Sequence, residues 1–204
     1  YSKDVMLHLM GEIKADGATD MSVEFLGDTV QRMGIDSRAT LTNMAVECGA
    51  TCGLCEADEK VRAFLKIFRR EREYRKVTSD GDAHYKREIS IDASKVEPMV
   101  ACPHRVDNVK SVSEVEGVEI DQVCIGSCTN GRMEDLRIAA KILKRGRARA
   151  IPRLVIYPAS RRVLMEAIRE NLLQVFLRSG ASIGPPGCGF CIGRTVALAD
   201  GEVV

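Results

Sequence analysis

Three cysteines are the residues of this 204-residue chain whose types and spacing could do chemistry. Cys128 lies in CIGSCTNG, and Cys188 and Cys191 form a C-x-x-C pair in GPPGCGFCIG. One distant thiolate and a close pair supply three ligands, whereas a structural zinc site uses four. Three thiolates suit a cubane iron–sulfur cluster whose fourth iron is free of protein and can bind a substrate as a Lewis acid.

The other five cysteines allow several interpretations. Ample aliphatic residues favour a reduced intracellular protein over a disulfide framework. We expect Cys48, Cys102 and Cys124 to be small buried residues. Cys52 and Cys55 are predicted to be buried small residues in a turn, but as a second C-x-x-C they leave a zinc knuckle open as the second-ranked alternative.

The bulk composition narrows the function classes. The net charge is +1, from 30 basic and 29 acidic residues, so no basic field predicts a nucleic-acid partner. No run approaches the roughly 20 apolar residues that span a bilayer, and charges interrupt the apolar positions of the first segment. We therefore expect a cytoplasmic protein that binds neither nucleic acid nor membrane. Because the chain begins with Tyr1, we also expect a fragment or an incompletely ordered protein.

The elements that must position the cysteines follow a β–α–β–α order. Short apolar runs typical of buried strands lie at residues 121–126 and 152–160, and each is followed by an amphipathic helical pattern, at 133–146 and 161–180. This order predicts a parallel sheet with helices on both faces. A short strand is predicted at Ile89–Ile91, with a loop after it.

Cys128 is predicted to lie where a buried strand gives way to a helix. Ligands collect at the carboxyl ends of such strands, and we expect the N–H groups of Thr129, Asn130 and Gly131 to point outward and favour an anion. Taken alone, Cys128 is better explained as a cysteine packing at a turn. The Gly- and Pro-rich segment around Cys188 and Cys191 predicts a structured loop of the kind that holds metals, and is the stronger signal.

A second candidate pair lies in the first half of the chain. The pattern there predicts helices over 2–13, 36–50 and 58–73 and a strand over 21–27. Asn43 and Glu47 are four residues apart and would share one helix face. Apolar neighbours predict that Glu47 is not freely solvated, and a buried carboxylate indicates either a functional site or a structural ion pair.

These segments together resemble the aconitase superfamily. Residues 36–56 resemble the segment that supplies an active-site Asn and Glu, and CIGSCTNGRMEDLRIAA and GPPGCGFCIG resemble the two cluster-ligand signatures. The forms PHRVDNVKSV and PASRRV are similar to large subunits of isopropylmalate and homoaconitate dehydratases. The resemblance implies an α/β fold with two three-layer α/β/α domains of the aconitase type and mainly parallel sheets. Residues 1–88 would be the second domain and 89–204 the third.

The resemblance also implies a function. Cys128, Cys188 and Cys191 would hold a [4Fe–4S] cluster with one iron not ligated by protein, and Asn43 and Glu47 would be catalytic. The enzyme would be a hydro-lyase of leucine or related amino-acid biosynthesis, isomerising a hydroxy di- or tricarboxylic acid such as isopropylmalate or homocitrate/homoaconitate. A small subunit or swivelling domain would carry the base. Family large subunits are longer, so we expect an N-terminal domain with active-site histidines to be missing here.

Two alternatives stay open from the sequence. A zinc-stapled, non-catalytic α/β module would depend on Cys52 and Cys55 and not on Cys128. An RNA-binding, aconitase-like regulator would bind RNA in a strongly salt-dependent way.

Overall fold

The computed structural model describes residues 1–145, 153–193, 196 and 198–204 of the chain. They form two compact units, Tyr1–Glu116 and Gly117–Val204. The helix end predicted at Gly146 and the first residue of the strand predicted at 152–160 lie outside the described residues. In the described parts of the chain, no helix is both long enough and apolar enough to span a membrane.

The first unit contains four α-helices and four strands among its described residues. Strands β1 and β2 pair in parallel, and β3 and β4 pair antiparallel. The elements are α1 (Ser2–Ile13), β1 (Ser22–Phe25), α2 (Asp28–Arg32), α3 (Ile35–Met44), β2 (Cys52–Cys55), α4 (Glu59–Ile67), β3 (Met99–Ala101) and β4 (Val109–Ser111). Short 3₁₀ helices lie at Ala45–Cys48, Glu71–Glu73 and Val112–Val115.

Helices α1 and α3 build the core of this unit. Their buried side chains recur at helical spacing, so each helix turns one apolar stripe inward. The buried set comprises Met6, Leu7, Leu9, Met10, Leu41 and Met44, joined by Ala45 and Cys48 of the following 3₁₀ helix. The helix predicted over 58–73 is shorter than expected: α4 ends at Ile67, and Arg69 has a positive φ of 59°.

Residues 89–116 pack with the first unit. Ile89, Ile91, Met99 and Val109 contact its buried core, and the Met99 amide donates to Asp4 Oδ1 at 2.8 Å. Residues 89–91 form no strand, contrary to the pattern, and the observed strands β3 and β4 come later. The unit boundary therefore follows Glu116, whereas the domain boundary predicted from sequence follows residue 88. The assignment of the two halves to aconitase-type domains stays a prediction.

The second unit is built on a three-stranded parallel sheet in the order β5–β6–β7. Leu136, Ile156, Ala167 and Phe176 are fully buried in its core. The elements are β5 (Gln122–Gly126), α5 (Ser127–Asn130), α6 (Met133–Lys144), β6 (Arg153–Tyr157), α7 (Arg161–Arg169), α8 (Leu172–Arg178) and β7 (Ser182–Ile183).

The predicted alternation of strands and helices is confirmed in this unit. The single helix predicted over 161–180 is two helices, because Asn171 adopts a left-handed conformation with φ 57° between α7 and α8. With two parallel sheets and one antiparallel pair, the described residues confirm the predicted α/β class with mainly parallel sheets.

Candidate functional site

The turn at the end of β5 presents Cys128. Gly126 has a φ of 135°, and a Cβ added there would lie 2.0 Å from the carbonyl oxygen of Tyr157. A Cβ on Gly131 would lie 2.5 Å from the same oxygen. Both glycines are therefore required for the chain to pass directly against the end of β6. Between them, Ser127 is 1% exposed in a left-handed conformation, and Cys128 is exposed.

The sequence predicts that the N–H groups of Thr129, Asn130 and Gly131 all point outward, and this is wrong for Gly131. The Gly131 N–H donates to the carbonyl oxygen of Ser127 at 3.1 Å and closes the one-turn helix α5. This hydrogen bond removes Gly131 from the predicted anion-binding set, because its donor is already used.

The segment that carries Cys188 and Cys191 is a loop of bends and turns over residues 184–193, as predicted. Its first residue is fixed by a hydrogen bond from the Gly184 N–H to the Ile156 carbonyl at 2.9 Å. Further along, the Phe190 ring meets the Tyr157 ring edge-on, with centroids 5.2 Å apart. The end of β6 therefore supports this loop as well as the turn at Cys128.

The two cysteine-bearing segments meet through one hydrogen bond. The Ser127 hydroxyl donates to the carbonyl oxygen of Gly187 at 3.4 Å. Ser127 and Gly187 immediately precede Cys128 and Cys188, so the contact brings the two predicted ligand segments together. Cys128, Cys188 and Cys191 are all exposed.

The thiols themselves do not converge. Among the residues that the structure describes, no three His, Cys, Asp or Glu side chains form a group that could hold a metal ion. The structure thus joins the segments of Cys128 and Cys188, while the three sulfur atoms are not arranged as a ligand set.

Asn43 and Glu47 lie on a segment that changes helix type between them. Asn43 is in α3, and Glu47 is in the 3₁₀ helix Ala45–Cys48, which ends at Gly49 with a φ of 85°. Both side chains are exposed. The prediction that Glu47 is not freely solvated is wrong, because Ala45 and Cys48 take the core-facing positions on either side of it.

The strand beneath this segment approaches it unusually closely. A Cβ on Gly53 of β2 would lie 2.7 Å from the Thr42 carbonyl oxygen and 2.8 Å from the Ala45 Cβ. A Cβ on Gly49 would lie 2.7 Å from Thr19 Oγ1. These contacts set how closely β2 and the Thr19 turn approach the backbone that carries Asn43 and Glu47.

Arg38 is a buried charged residue on the same helix as Asn43, and the sequence interpretation missed it. It lies on α3 and is 4% exposed, with its guanidinium paired to the Asp58 carboxylate at 2.6 Å. This pairing lowers the pKa of Asp58. Arg38, Leu41 and Ala45 have the three- and four-residue spacing of a core-facing stripe, and a charged residue in that stripe was the available signal.

The chain matches the model of the aconitase family (aconitate hydratase) over residues 1–117 and 109–204. The chain belongs to the aconitase family.

Similar curated proteins carry related names. The chain is 48% identical over its full length to the 3-isopropylmalate dehydratase large subunit 2 of Archaeoglobus fulgidus, of which it covers 49%. It is 49% identical over 203 residues to the 3-isopropylmalate dehydratase large subunit of Elusimicrobium minutum, again covering 49% of that protein. It is 46% identical to a probable methanogen homoaconitase large subunit of Methanothermobacter thermautotrophicus, covering 47% of it. The chain spans about half the length of the curated relatives it matches.

The donor set of this aconitase-family chain fits an iron–sulfur cluster. Dehydratases of the family use a [4Fe–4S] cluster, and thiolates are the donors that such clusters take from proteins. The fit is one of donor chemistry and not of arrangement: the three thiols are exposed, and Ser127 and Gly187 bring two of their segments together, but the described sulfur atoms do not converge.

Cys52 and Cys55 correct a further prediction about this aconitase-family chain. They lie in strand β2 and not in a turn, and Cys52 is exposed. Residues three apart on a strand point to opposite faces, so these two thiols cannot bind one metal ion together. The zinc knuckle that depended on this pair therefore loses its basis.

The remaining three cysteines are only partly as predicted. Cys48 is fully buried, which confirms the prediction for that residue and raises the pKa of its thiol. Cys102 and Cys124 are half-buried.

Proposed function

We propose that this chain is part of the large subunit of an iron–sulfur hydro-lyase, which isomerises a hydroxy di- or tricarboxylic acid by removing and re-adding water. The contact between Ser127 and Gly187 carries this proposal, because it joins the segments of two exposed cysteines in a family whose dehydratases use a [4Fe–4S] cluster. The names of the relatives support isopropylmalate or homocitrate/homoaconitate as substrate classes.

In this proposal Cys128, Cys188 and Cys191 hold the cluster and leave one iron without a protein ligand. When bound, the cluster supplies a Lewis acid that stabilises a departing hydroxide without a redox step. The chain's own part is to hold the three thiols in place. Tyr157 supports both segments, through its carbonyl at the Gly126 turn and through its ring at Phe190.

Asn43 and Glu47 are proposed to act on the substrate directly. Both side chains are exposed on the α3–3₁₀ segment, where a ligand can reach them. The Glu47 carboxyl group would hydrogen-bond to the departing hydroxyl and donate the proton with which that hydroxyl leaves as water, and the Asn43 amide would orient the hydroxyl. The buried neighbours Met44, Ala45 and Cys48 hold this segment against the core.

A partner is proposed to complete the chemistry. The relatives are named large subunits, which supports a small subunit here, either separate or as a swivelling domain. That partner would carry the base that removes the carbon-bound proton. The ample aliphatic content of the chain makes a disulfide framework unnecessary, which supports a reducing compartment, and we propose the cytoplasm on that ground.

The test is an activity measurement on the full-length protein with its small subunit, loaded with iron and sulfide under anaerobic conditions. Isopropylmalate, homocitrate and citrate are each supplied, and the ultraviolet absorbance of the unsaturated product is followed. We expect one of them to be dehydrated, and Glu47→Gln to lower kcat by about 100-fold or more, the usual scale for a group that handles a proton. Glu119→Gln, at an exposed position outside the site, is the matched control. Failure of the loaded complex to dehydrate any of the acids would overturn the proposal.

A further inference from the structure

The buried guanidinium of Arg38 connects two separate segments to helix α3. Its Nε donates to the Val30 carbonyl at 3.0 Å, and its Nη2 donates to the Gln31 carbonyl at 3.0 Å. Its Nη1 donates to the Glu56 carbonyl at 3.3 Å. With the Asp58 carboxylate as the fourth acceptor, one side chain ties α3 to the end of α2 and to the β2–α4 connection.

Neighbouring groups make this junction rigid. The Lys60 ammonium donates to the carbonyl oxygens of Gln31, Arg32 and Met33 at 2.5, 2.9 and 2.9 Å. It therefore satisfies the last carbonyls of α2, which have no partner within the helix. Asp58 also caps α4 by accepting from the Lys60 N–H at 3.0 Å, so the carboxylate that fixes Arg38 is itself fixed.

Arg38 lies at the opposite end of the segment from Glu47. Glu47 is nine positions further along the chain, which is roughly 15 Å at a rise of about 1.5 Å per residue in α3 and about 2.0 Å in the 3₁₀ helix that follows it. A tilt of about 5° at the Arg38 end would then displace Glu47 by about 1 Å, and a misplacement of that size can cost on the order of 100-fold in rate.

We infer that Arg38 is a positioning residue for the dehydration, acting through α3 to set the placement of Asn43 and Glu47. The inference rests on the proposed function, since it needs those two side chains to act on the substrate. Arg38 itself need not contact substrate, because it is 4% exposed and four of its five N–H donors are taken up by the acceptors around it.

A purely structural role would have a different signature. Loss of a buried ion pair lowers the unfolding temperature of any protein. If the Arg38–Asp58 pair served only the stability of the fold, however, its loss would leave kcat unchanged at temperatures where the variant is folded. A positioning role predicts lower kcat at temperatures where the variant is fully folded, with little change in KM.

The experiment uses the loaded full-length complex and the variant Arg38→Lys. Lysine keeps the charge and can pair with Asp58, but it cannot reach the carbonyls of Val30, Gln31 and Glu56 together. We expect kcat to fall by about 10- to 100-fold and KM to stay within about twofold. Arg62→Lys is the matched control, because Arg62 is exposed and pairs only with surface carboxylates among the described residues.

Two further variants keep the outcomes distinct. Asp58→Asn, which keeps the shape of the side chain and removes its charge, is used if Arg38→Lys does not fold; the same loss of kcat is expected. Unchanged kcat in a folded Arg38→Lys or Asp58→Asn complex would overturn the positioning role. Unchanged kcat in both Glu47→Gln and Asn43→Ala would instead overturn the proposed function of those residues.

Discussion

At the scale of single residues, exposure separates the cysteines of this chain into different chemical classes. Cys128, Cys188 and Cys191 are exposed. Thiols proposed to take up a cluster must be accessible in this way before the cluster is bound. Cys48 is fully buried, and burial raises the pKa of Cys55 to about 11. The thiolate is the reactive form, so this difference is measurable as a difference in rate.

Alkylation should therefore distinguish the two cysteines of β2. At pH 8 a thiol of pKa about 11 has only about one thousandth of its population as thiolate. We expect iodoacetamide to modify exposed Cys52 well before Cys55 in the folded protein, as read by peptide mass spectrometry. In denaturant the two should react alike, and equal rates in the folded protein would contradict the assigned burial.

Asp107 should give the stability of the first unit a dependence on acid pH. Hydrogen bonds from Arg105 and from the Ala15 N–H lower its pKa to about 2, from 3.8 for an ordinary Asp. A carboxyl group whose pKa is lower in the folded protein than in the unfolded chain stabilises the fold at pH values above the unfolded pKa. That stabilisation is lost as the pH falls from about 4 to about 2.

The variant Asp107→Asn tests this dependence. Compared with wild type it should unfold at lower urea concentration at pH 7, and the difference should shrink toward pH 2. Urea titrations at several pH values measure it. A difference that stays constant across the range would show that the Asp107 carboxylate is not the titrating group.

At the scale of elements, the turn after β5 depends on a close backbone approach. Gly126 combines a φ of 135° with a Cβ position 2.0 Å from the Tyr157 carbonyl oxygen. Gly180 has a φ of 82° but open space around its Cβ position. Comparing Gly126 with Gly180 therefore distinguishes the cost of a steric clash from the cost of a positive φ alone.

Alanine substitutions at these two glycines should differ in their effect. Gly126→Ala should lower the free energy of unfolding by about 3 kcal/mol or more, because the backbone must shift. Gly180→Ala should cost only about 1 to 2 kcal/mol, the strain of a left-handed alanine. Urea unfolding measures both, and equal losses would contradict the close approach at Tyr157.

The elements also show what the sequence could predict. Strands β5 and β6 and helix α6 were recognisable because apolar runs and amphipathic periods are long there. Strands β3 and β7 have three and two residues, too few for an alternating pattern. The exposure of Glu47 was missed because apolar neighbours do not reveal a change from α to 3₁₀ geometry at Ala45.

At the scale of the whole molecule, the candidate residues are divided between the two compact units. Asn43 and Glu47 belong to the first, and the three cysteines belong to the second. The cysteine loops could be predicted because glycines and prolines mark them in the sequence. Arg38 could not, because its role depends on carbonyls of Val30, Gln31 and Glu56 that only the fold brings to it.

The most direct test of the central claim is the iron and acid-labile sulfide content of the full-length protein after anaerobic reconstitution. About four irons and four sulfides per chain are expected, with the broad visible absorbance of a cubane cluster. Cys128→Ser should abolish this content, and Cys52→Ser, which alters an exposed thiol of the first unit, should retain it. Zinc without sulfide, or a Cys128→Ser protein that loads like wild type, would contradict the account.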